Sequence, residues 1–363
     1  MQTYPLPMVP GPVSLPPEVL AAMGVNFGSG DLEGEFFELY KRTTAGLQTI
    51  METAHPVAIL SGEGMAALWA ALKSCLKPGD RVLSVATGLF GHGIADMAAA
   101  VGAVIRKVSA PDNETLSDIT EVAEVIEAFR PVMITAVHCE TPSGTLNPLA
   151  SLGALKKQLR VPLLYVDAVS SIGGTPVQTD AWNIDLCLGG AQKCLSAPPG
   201  TAFLSVSDSA WERIEEIDYV GYDALKPFRR ALINRFFPYT PNWHGIAALN
   251  AGAERILNEG LSRCFARHDR VAAKCRQRIK EMGLKLFAAP DAVPSPTVTA
   301  IHLPGGRSWT DFDAGLRRHG LVVGGSYGAW SGKVFRLGHM GTQADEVLVA
   351  RALEVIADVL QTP

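Results

Sequence analysis

The chain predicts an α/β protein: a large domain on a mostly parallel sheet covered by helices, followed by a smaller α+β domain. Three observations lead there. From about residue 56 to residue 217, short apolar runs alternate with helical patterns, the arrangement that buries a parallel sheet on both faces. Beyond Thr240 the alternation stops and two long helical stretches follow. The 363 residues also exceed what one small core normally organises.

The runs "VAIL", "RVLSVA", "AVIRKV", "PVMITAV", "PLLYVD", "IDLCLGG" and "TAFLSV" read as buried strands rich in β-branched residues. Between them Gly64–Cys75, Gly93–Val101, Asp118–Phe129, Leu149–Leu159 and Asp208–Ile217 read as helices. Next come the long helices, about Trp243–Asn258 and Leu261–Met282, the first of them joining the domains. "TVTAIHL", a helix near Trp309–His319, "KVFRLGHM" and a last helix near Ala344–Leu360 complete the small domain. The expected division is an N-terminal extended segment over residues 1–20, lying across the domains, a large domain over 21–250, and a small domain over 251–363.

Composition narrows the function. Apolar residues make up 47% and charged residues 19%, a soluble globular balance. A net charge of −4 with no basic stripe argues against nucleic acid. No apolar run is long enough to span a membrane, and "MQTYPLPMVPGP" lacks the basic leader and apolar centre of a signal peptide. Six scattered cysteines with no metal-ligand spacing suggest a reduced, cytoplasmic protein.

In open α/β sheets ligands bind beyond the carboxyl ends of the strands, and the chemically suggestive residues fall there. "AILSGEGMAALWAAL" runs from a strand through Ser61, Gly62, Glu63 and Gly64 into a helix. Free N–H groups at that start suit an anion, or simply a capped turn. In "ATGLFGHG", Phe90 sits in a loop between glycines, as a platform for a flat ligand or as a ring at a domain edge. "VHCETPSGTLNP" puts His138, Glu140, Thr141 and Ser143 on one loop. Asp167 closes the apolar strand of "LLYVDAVSSIGG". It either caps the turn through Ser170 or Ser171, or pairs with a protonated heterocyclic nitrogen, because an unpaired buried carboxylate costs several kcal/mol.

"GGAQKCLSAPPG" places Lys193 among small uncharged residues. Burial there disfavours its ammonium form and prepares the amine for Schiff-base chemistry. Arg336, in "KVFRLGHMG", lies in a small-domain strand, ready for a substrate carboxylate or for a structural salt bridge. An anion-binding helix start, an aromatic platform, an Asp, a Lys and an Arg, in that order, form the parts list of a pyridoxal-type site.

From "VPGPVSLPPEVL" through "RLGHMG" the chain resembles the class V branch of fold-type I pyridoxal-phosphate enzymes, the alanine–glyoxylate and serine–pyruvate aminotransferase group. "VDAVSSIGG" and "GGAQKCLSAPPG" are the most specific parts of the match. The resemblance implies a transaminase moving an amino group between a small, alanine-like amino acid and a 2-oxo acid such as pyruvate or glyoxylate. It assigns the Schiff base and proton shuttling to Lys193, the pyridine nitrogen to Asp167, ring stacking to Phe90 and the ring edge to Thr141. Gln192 and the amides of Gly64 and Met65 would line the phosphate, and Arg336 would take the substrate α-carboxylate. It further implies a homodimer with shared sites, in which Thr240 of "FPYTPNWHG" reaches the neighbouring subunit's cofactor phosphate.

Two departures stand out. Glu63 replaces the family's Ser or Thr beside the phosphate, and Phe237 replaces a frequent phosphate-binding Tyr. Together with "TPSGT", "KCLSAPPG", "FPYTP" and "GHMG" they resemble the pyridoxamine–pyruvate transaminases, which use the unphosphorylated vitamin as substrate. Tyr327 stands where those enzymes carry a second substrate-binding arginine. A lyase on the same fold is a further alternative. A cysteine desulfurase is disfavoured because no cysteine follows Cys275, and a nucleotide-dependent dehydrogenase because no GxGxxG follows the first strand.

Overall fold

The computed structural model describes residues 3–361. The chain opens with strand β1 (Leu6–Met8), helix α1 (Pro17–Met23) and helix α2 (Gly34–Ile50). Alternation then begins with β2 (Val57–Ser61), α3 (Gly64–Cys75), β3 (Arg81–Ala86), α4 (Leu89–Ala100), β4 (Val104–Ser109), α5 (Thr120–Phe129) and β5 (Met133–Val137). A small hairpin of β6 (Cys139–Glu140) and β7 (Thr145–Leu146) leads to α6 (Leu149–Gln158) and β8 (Leu163–Asp167). β9 (Leu186–Gly190), β10 (Thr201–Val206), α7 (Asp208–Ile217) and α8 (Ala231–Asn234) follow. The long helices are α9 (Trp243–Glu259) and α10 (Leu261–Glu281). The chain ends with β11 (Val298–His302), α11 (Trp309–Arg318), β12 (Leu321–Gly325), β13 (Val334–Gly338) and α12 (Glu346–Gln361).

Seven strands form one sheet in the order β2-β10-β9-β8-β5-β3-β4. Only β10 runs against its neighbours, so the sheet is mostly parallel, as the sequence predicts. Its central strands are largely apolar because helices cover both faces: β5, β8, β9 and β10 are buried at every position. A second, four-stranded sheet has the order β1-β12-β13-β11 and a core of its own, including Phe312, Phe335 and Ile356.

The amino-terminal segment is extended across the two sheets, and turns helical at Pro17, before residue 20. Leu6–Met8 pairs in parallel with β12 of the smaller sheet. Extended backbone then crosses to the larger sheet, where the Val13 N–H donates to the Gln192 carbonyl at 3.1 Å. The extended run stops at Pro16, where Pro17 opens α1, a position a proline favours because its missing N–H has no helical partner anyway. Helix α2 buries Phe36, Leu39, Leu47 and Ile50, each contributing about 1.5–3 kcal/mol by leaving water. Its apolar face lies in the same core as that of α9.

Candidate active site

Register brings the site together. Asp167, the last residue of β8, lies opposite Val137 of β5 and Leu188 of β9. The segments leaving these three strands therefore emerge level at the carboxyl edge of the sheet. A cavity of about 170 Å³ opens there, and its walls include Glu63, Gly64, Met65, Phe90, Thr141, Asp167, Gln192 and Lys193. Eight of the residues singled out in the sequence thus share one cavity, although up to 130 positions separate them along the chain (63 to 193).

Lys193 follows β9 and is half-buried. Burial, and then the positive charge of Arg336, lower its pKa, so its amine is easier to keep neutral and nucleophilic. Its Nζ donates to the Pro10 carbonyl at 2.5 Å, a contact the sequence alone did not reveal. Asp167 does not cap through the serines. Its Oδ1 accepts the Val169 N–H at 2.9 Å. Ser170 instead bonds Thr141 and the Ala168 carbonyl takes the Ser171 hydroxyl. Burial pushes the Asp167 carboxyl up to about 6, against the Val169 hydrogen bond and the Lys193 charge, which pull it down. A carboxylate in this position is short of a cationic partner.

At the start of α3, Glu63 is the helix N-cap. Its Oε1 accepts the Met65 N–H at 3.1 Å, and its Oε2 accepts from Gln192 Nε2 at 3.0 Å. The anion slot offered by the helix start is therefore occupied by the chain's own carboxylate. Gly64 is required by close approach: a Cβ there would fall 2.9 Å from a Val169 methyl. Phe237 is turned away from the site and packs among Phe36, Phe37 and Tyr40. A different hydroxyl serves this region, Tyr239 Oη accepting the Ser61 N–H at 3.1 Å.

Phe90 is not in a loop. It lies in the first turn of α4, which starts at Leu89 rather than Gly93. Thr141 Oγ1 is 2.7 Å from Ser170 Oγ. Ser170, read from the sequence only as a cap for Asp167, also lines the cavity, as do Cys139, Val169 and Leu68, which were not singled out. Val169 could have been found, because it lies two residues after Asp167.

Arg336, Tyr327 and Thr240 are not among the residues lining this cavity. Arg336 lies in β13, is 4% exposed, and donates through Nε at 2.8 Å and through Nη2 at 2.5 Å to the Gly325 carbonyl. Its guanidinium stands 4.7 Å from the centre of the Tyr327 ring. No carboxylate pairs with it among the described residues, so the salt-bridge alternative falls away. With its Nε–Nη2 edge turned to that carbonyl and its face to the Tyr327 ring, the guanidinium keeps only its Nη1–Nη2 end for an anion. Tyr327 is 54% exposed, and Thr240 is exposed on the segment between α8 and α9.

The residues fit a pyridoxal ring and its aldehyde: an amine of lowered pKa, an under-paired carboxylate, an aromatic side and the Thr141 hydroxyl share one cavity. Gln192 Oε1 is in addition buried without a partner. The phosphate end of such a cofactor would meet Glu63.

Known proteins agree with this geometry. Residues 18–335 match the family model for aminotransferase class-V. The chain is 34% identical over 350 residues to an aminotransferase of Methanocaldococcus jannaschii, covering 94% of this chain and 89% of that one. The structure of alanine–glyoxylate aminotransferase from Nostoc sp. superposes with a TM-score of 0.93 at 30% identity, covering 99% and 96% of the two chains. That of pyridoxamine–pyruvate aminotransferase from Mesorhizobium loti gives 0.93 at 31%, covering 99% and 92%. A family match over most of the chain, with a fold shared to this degree, makes the chain a member of the class V aminotransferases, pyridoxal-phosphate-dependent enzymes that move an amino group between amino and oxo acids.

Proposed function

We propose that the protein moves an amino group between a small, alanine-like amino acid and pyruvate or glyoxylate. The observation that carries this is that Lys193 and Asp167 share one cavity, while Arg336, outside its lining and the one arginine buried among the described residues, is near enough to lower the Lys193 pKa. One guanidinium suits one carboxylate, which favours monocarboxylic substrates. The name of the Nostoc relative, an alanine–glyoxylate aminotransferase, supports the same substrate class.

When bound, the cofactor supplies an aldehyde that condenses with amines and a pyridinium ring that draws electrons from them. The chain's own groups do the rest. The Asp167 carboxylate holds a proton on a ring nitrogen, each stabilising the other's charge. Phe90 covers one face of the ring, and Thr141 meets its edge. Arg336 orients the substrate through its carboxylate. Lys193 takes a proton at Nζ and returns it at a neighbouring carbon, acting as base and then as acid. Thr240, exposed in the single chain, belongs in this reading to the partner's site in a homodimer.

The position of Glu63 favours a second reading, in which unphosphorylated pyridoxamine is itself the amino donor. An acid that already takes the Met65 N–H and the Gln192 amide repels a phosphate dianion and competes for its donors. The relative from Mesorhizobium loti carries that activity in its name. A panel of half-reactions with alanine, serine and pyridoxamine, followed by absorbance with pyridoxal phosphate and with pyridoxal, separates the two. Bleaching by alanine only with the phosphorylated form supports the first reading. Turnover of free pyridoxamine with pyruvate supports the second, and neither reaction occurring would refute both.

A further inference from the structure

Glu140 is a fully buried carboxylate that the mechanism above does not use. It ends β6, one residue before Thr141, and is 0% exposed. Its Oε1 accepts the Gly91 N–H at 2.7 Å and its Oε2 the Phe90 N–H at 3.2 Å. These are first-turn N–H groups of α4, whose own N-cap, Gly88, has no side chain to offer them. A negative group at this end also complements the helix dipole. Its pKa is pushed up to about 8 by burial, with the two N–H groups pulling it down.

The seat is closely fitted. A Cβ on Gly88 would fall 2.7 Å from the Glu140 Cδ, and one on Gly91 would fall 2.9 Å from the Ala86 Cα and 3.3 Å from Glu140 Oε1. Of the glycines in "TGLFGHG", Gly88 is thus accounted for by this carboxylate, and Gly91 first by the Ala86 backbone and then by Glu140. The same contacts explain why α4 starts early: glycines weaken a helix by about 1 kcal/mol each, and the two hydrogen bonds from the Phe90 and Gly91 N–H groups to Glu140 compensate for that.

We infer that Glu140 is a positioning residue for the cofactor ring, clamping the start of α4 so that the Phe90 side chain stands against the pyridine face. The inference rests on the assignment of Phe90 as the stacking residue. Phe90 has lost backbone freedom at its own N–H and at that of its neighbour Gly91, so the backbone from which its ring projects is fixed before a ligand arrives. Stacking depends on offset and tilt, so a platform held in this way binds the ring better than one that must be ordered on binding.

The test is a double-mutant cycle with Glu140→Gln, Phe90→Ala and the combination. Glutamine keeps one acceptor oxygen but sets an NH2 group against the other N–H. Pyridoxal is the probe, because it carries the ring without the phosphate. The readouts are its half-saturation by absorbance, the induced circular dichroism of its visible band, and thermal unfolding of the cofactor-free variants. F90A is expected to weaken pyridoxal about tenfold and to diminish the dichroism, in line with the worth of aromatic contacts. E140Q should weaken it several-fold in the same manner, and the double variant should bind no worse than F90A. Factors that multiply in the double variant overturn the inference, since Glu140 would then act independently of Phe90. An F90A protein that binds pyridoxal normally removes the stacking assignment itself, and the inference with it. Should E140Q fail to fold, Gly88→Ala displaces the same carboxylate from the other side and is read against the same two outcomes.

Discussion

Asp167 shows how one residue can be costly to the fold and necessary to the site. Its carboxyl titrates near 6 in the folded chain against 3.8 ordinarily, chiefly because it is buried. The folded state therefore holds the proton more tightly than the unfolded one. Stability contributed by the protonated form is full below about pH 4 and is lost as the pH rises through 6. At 1.36 kcal/mol per pKa unit, the loss is on the order of 3 kcal/mol. Asp167→Asn should accordingly make the cofactor-free protein more stable than the parent at pH 7.5. The gap should close toward pH 4, and melting curves across that range would check it. In the proposed function a pyridinium beside the carboxylate would offset the same cost in the working enzyme. Asp167 and Lys193 were legible in the sequence because each stands just past an apolar strand where a charge is out of place. The Pro10 carbonyl on Lys193 was not, since 183 positions separate the two and a backbone acceptor has no residue type to reveal it.

At the scale of elements, most strands and helices beyond residue 56 follow their apolar periodicity, but β12 (Leu321–Gly325), which ends in two glycines, was not read as a strand. The elements that escaped have physical reasons to do so. β1 is three residues long and contains Pro7, which reads as a strand breaker except at an edge, where this strand lies. In α2 the apolar pattern is interrupted by Thr43 and Thr44, both buried, whose hydroxyls are satisfied by the helix's own carbonyls of Leu39 and Lys41. The start of α4 depends on Glu140, 50 residues away from Phe90, so local propensity could not show it. Helix α6 makes a separate prediction. A Cβ on Gly153 would overlap the Trp182 carbonyl, and backbone cannot move aside as a side chain can. Gly153→Ala should lower stability by about 3 kcal/mol, as overpacking does. Urea titration would read this as a lower midpoint with an unchanged slope, and the surviving folded enzyme should keep its pH profile.

Across the whole molecule, the amino-terminal segment joins the two sheets. It pairs with β12 through Leu6–Met8, gives the Val9 carbonyl to Gln343 Nε2 at 2.7 Å, and meets Lys193 and Gln192 through Pro10 and Val13. Arg336 on the smaller sheet and Lys193 on the larger one therefore share a common strap. Subunit pairing gives a prediction of its own. If Thr240 serves the neighbouring chain, then Lys193→Ala and Thr240→Ala subunits, mixed and allowed to exchange, should recover one intact site per mixed dimer. Activity should rise above the sum of the separate variants, whereas simple addition would mean that each chain completes its own site. Everything in the account depends on the ε-amine of Lys193 being the group that holds the cofactor. Reduction of the yellow holoenzyme with borohydride, followed by mass spectrometry of its peptides, tests this directly. The account predicts one pyridyl adduct, on Lys193; an adduct on another lysine, or retention of the label by a Lys193→Ala protein, would contradict it.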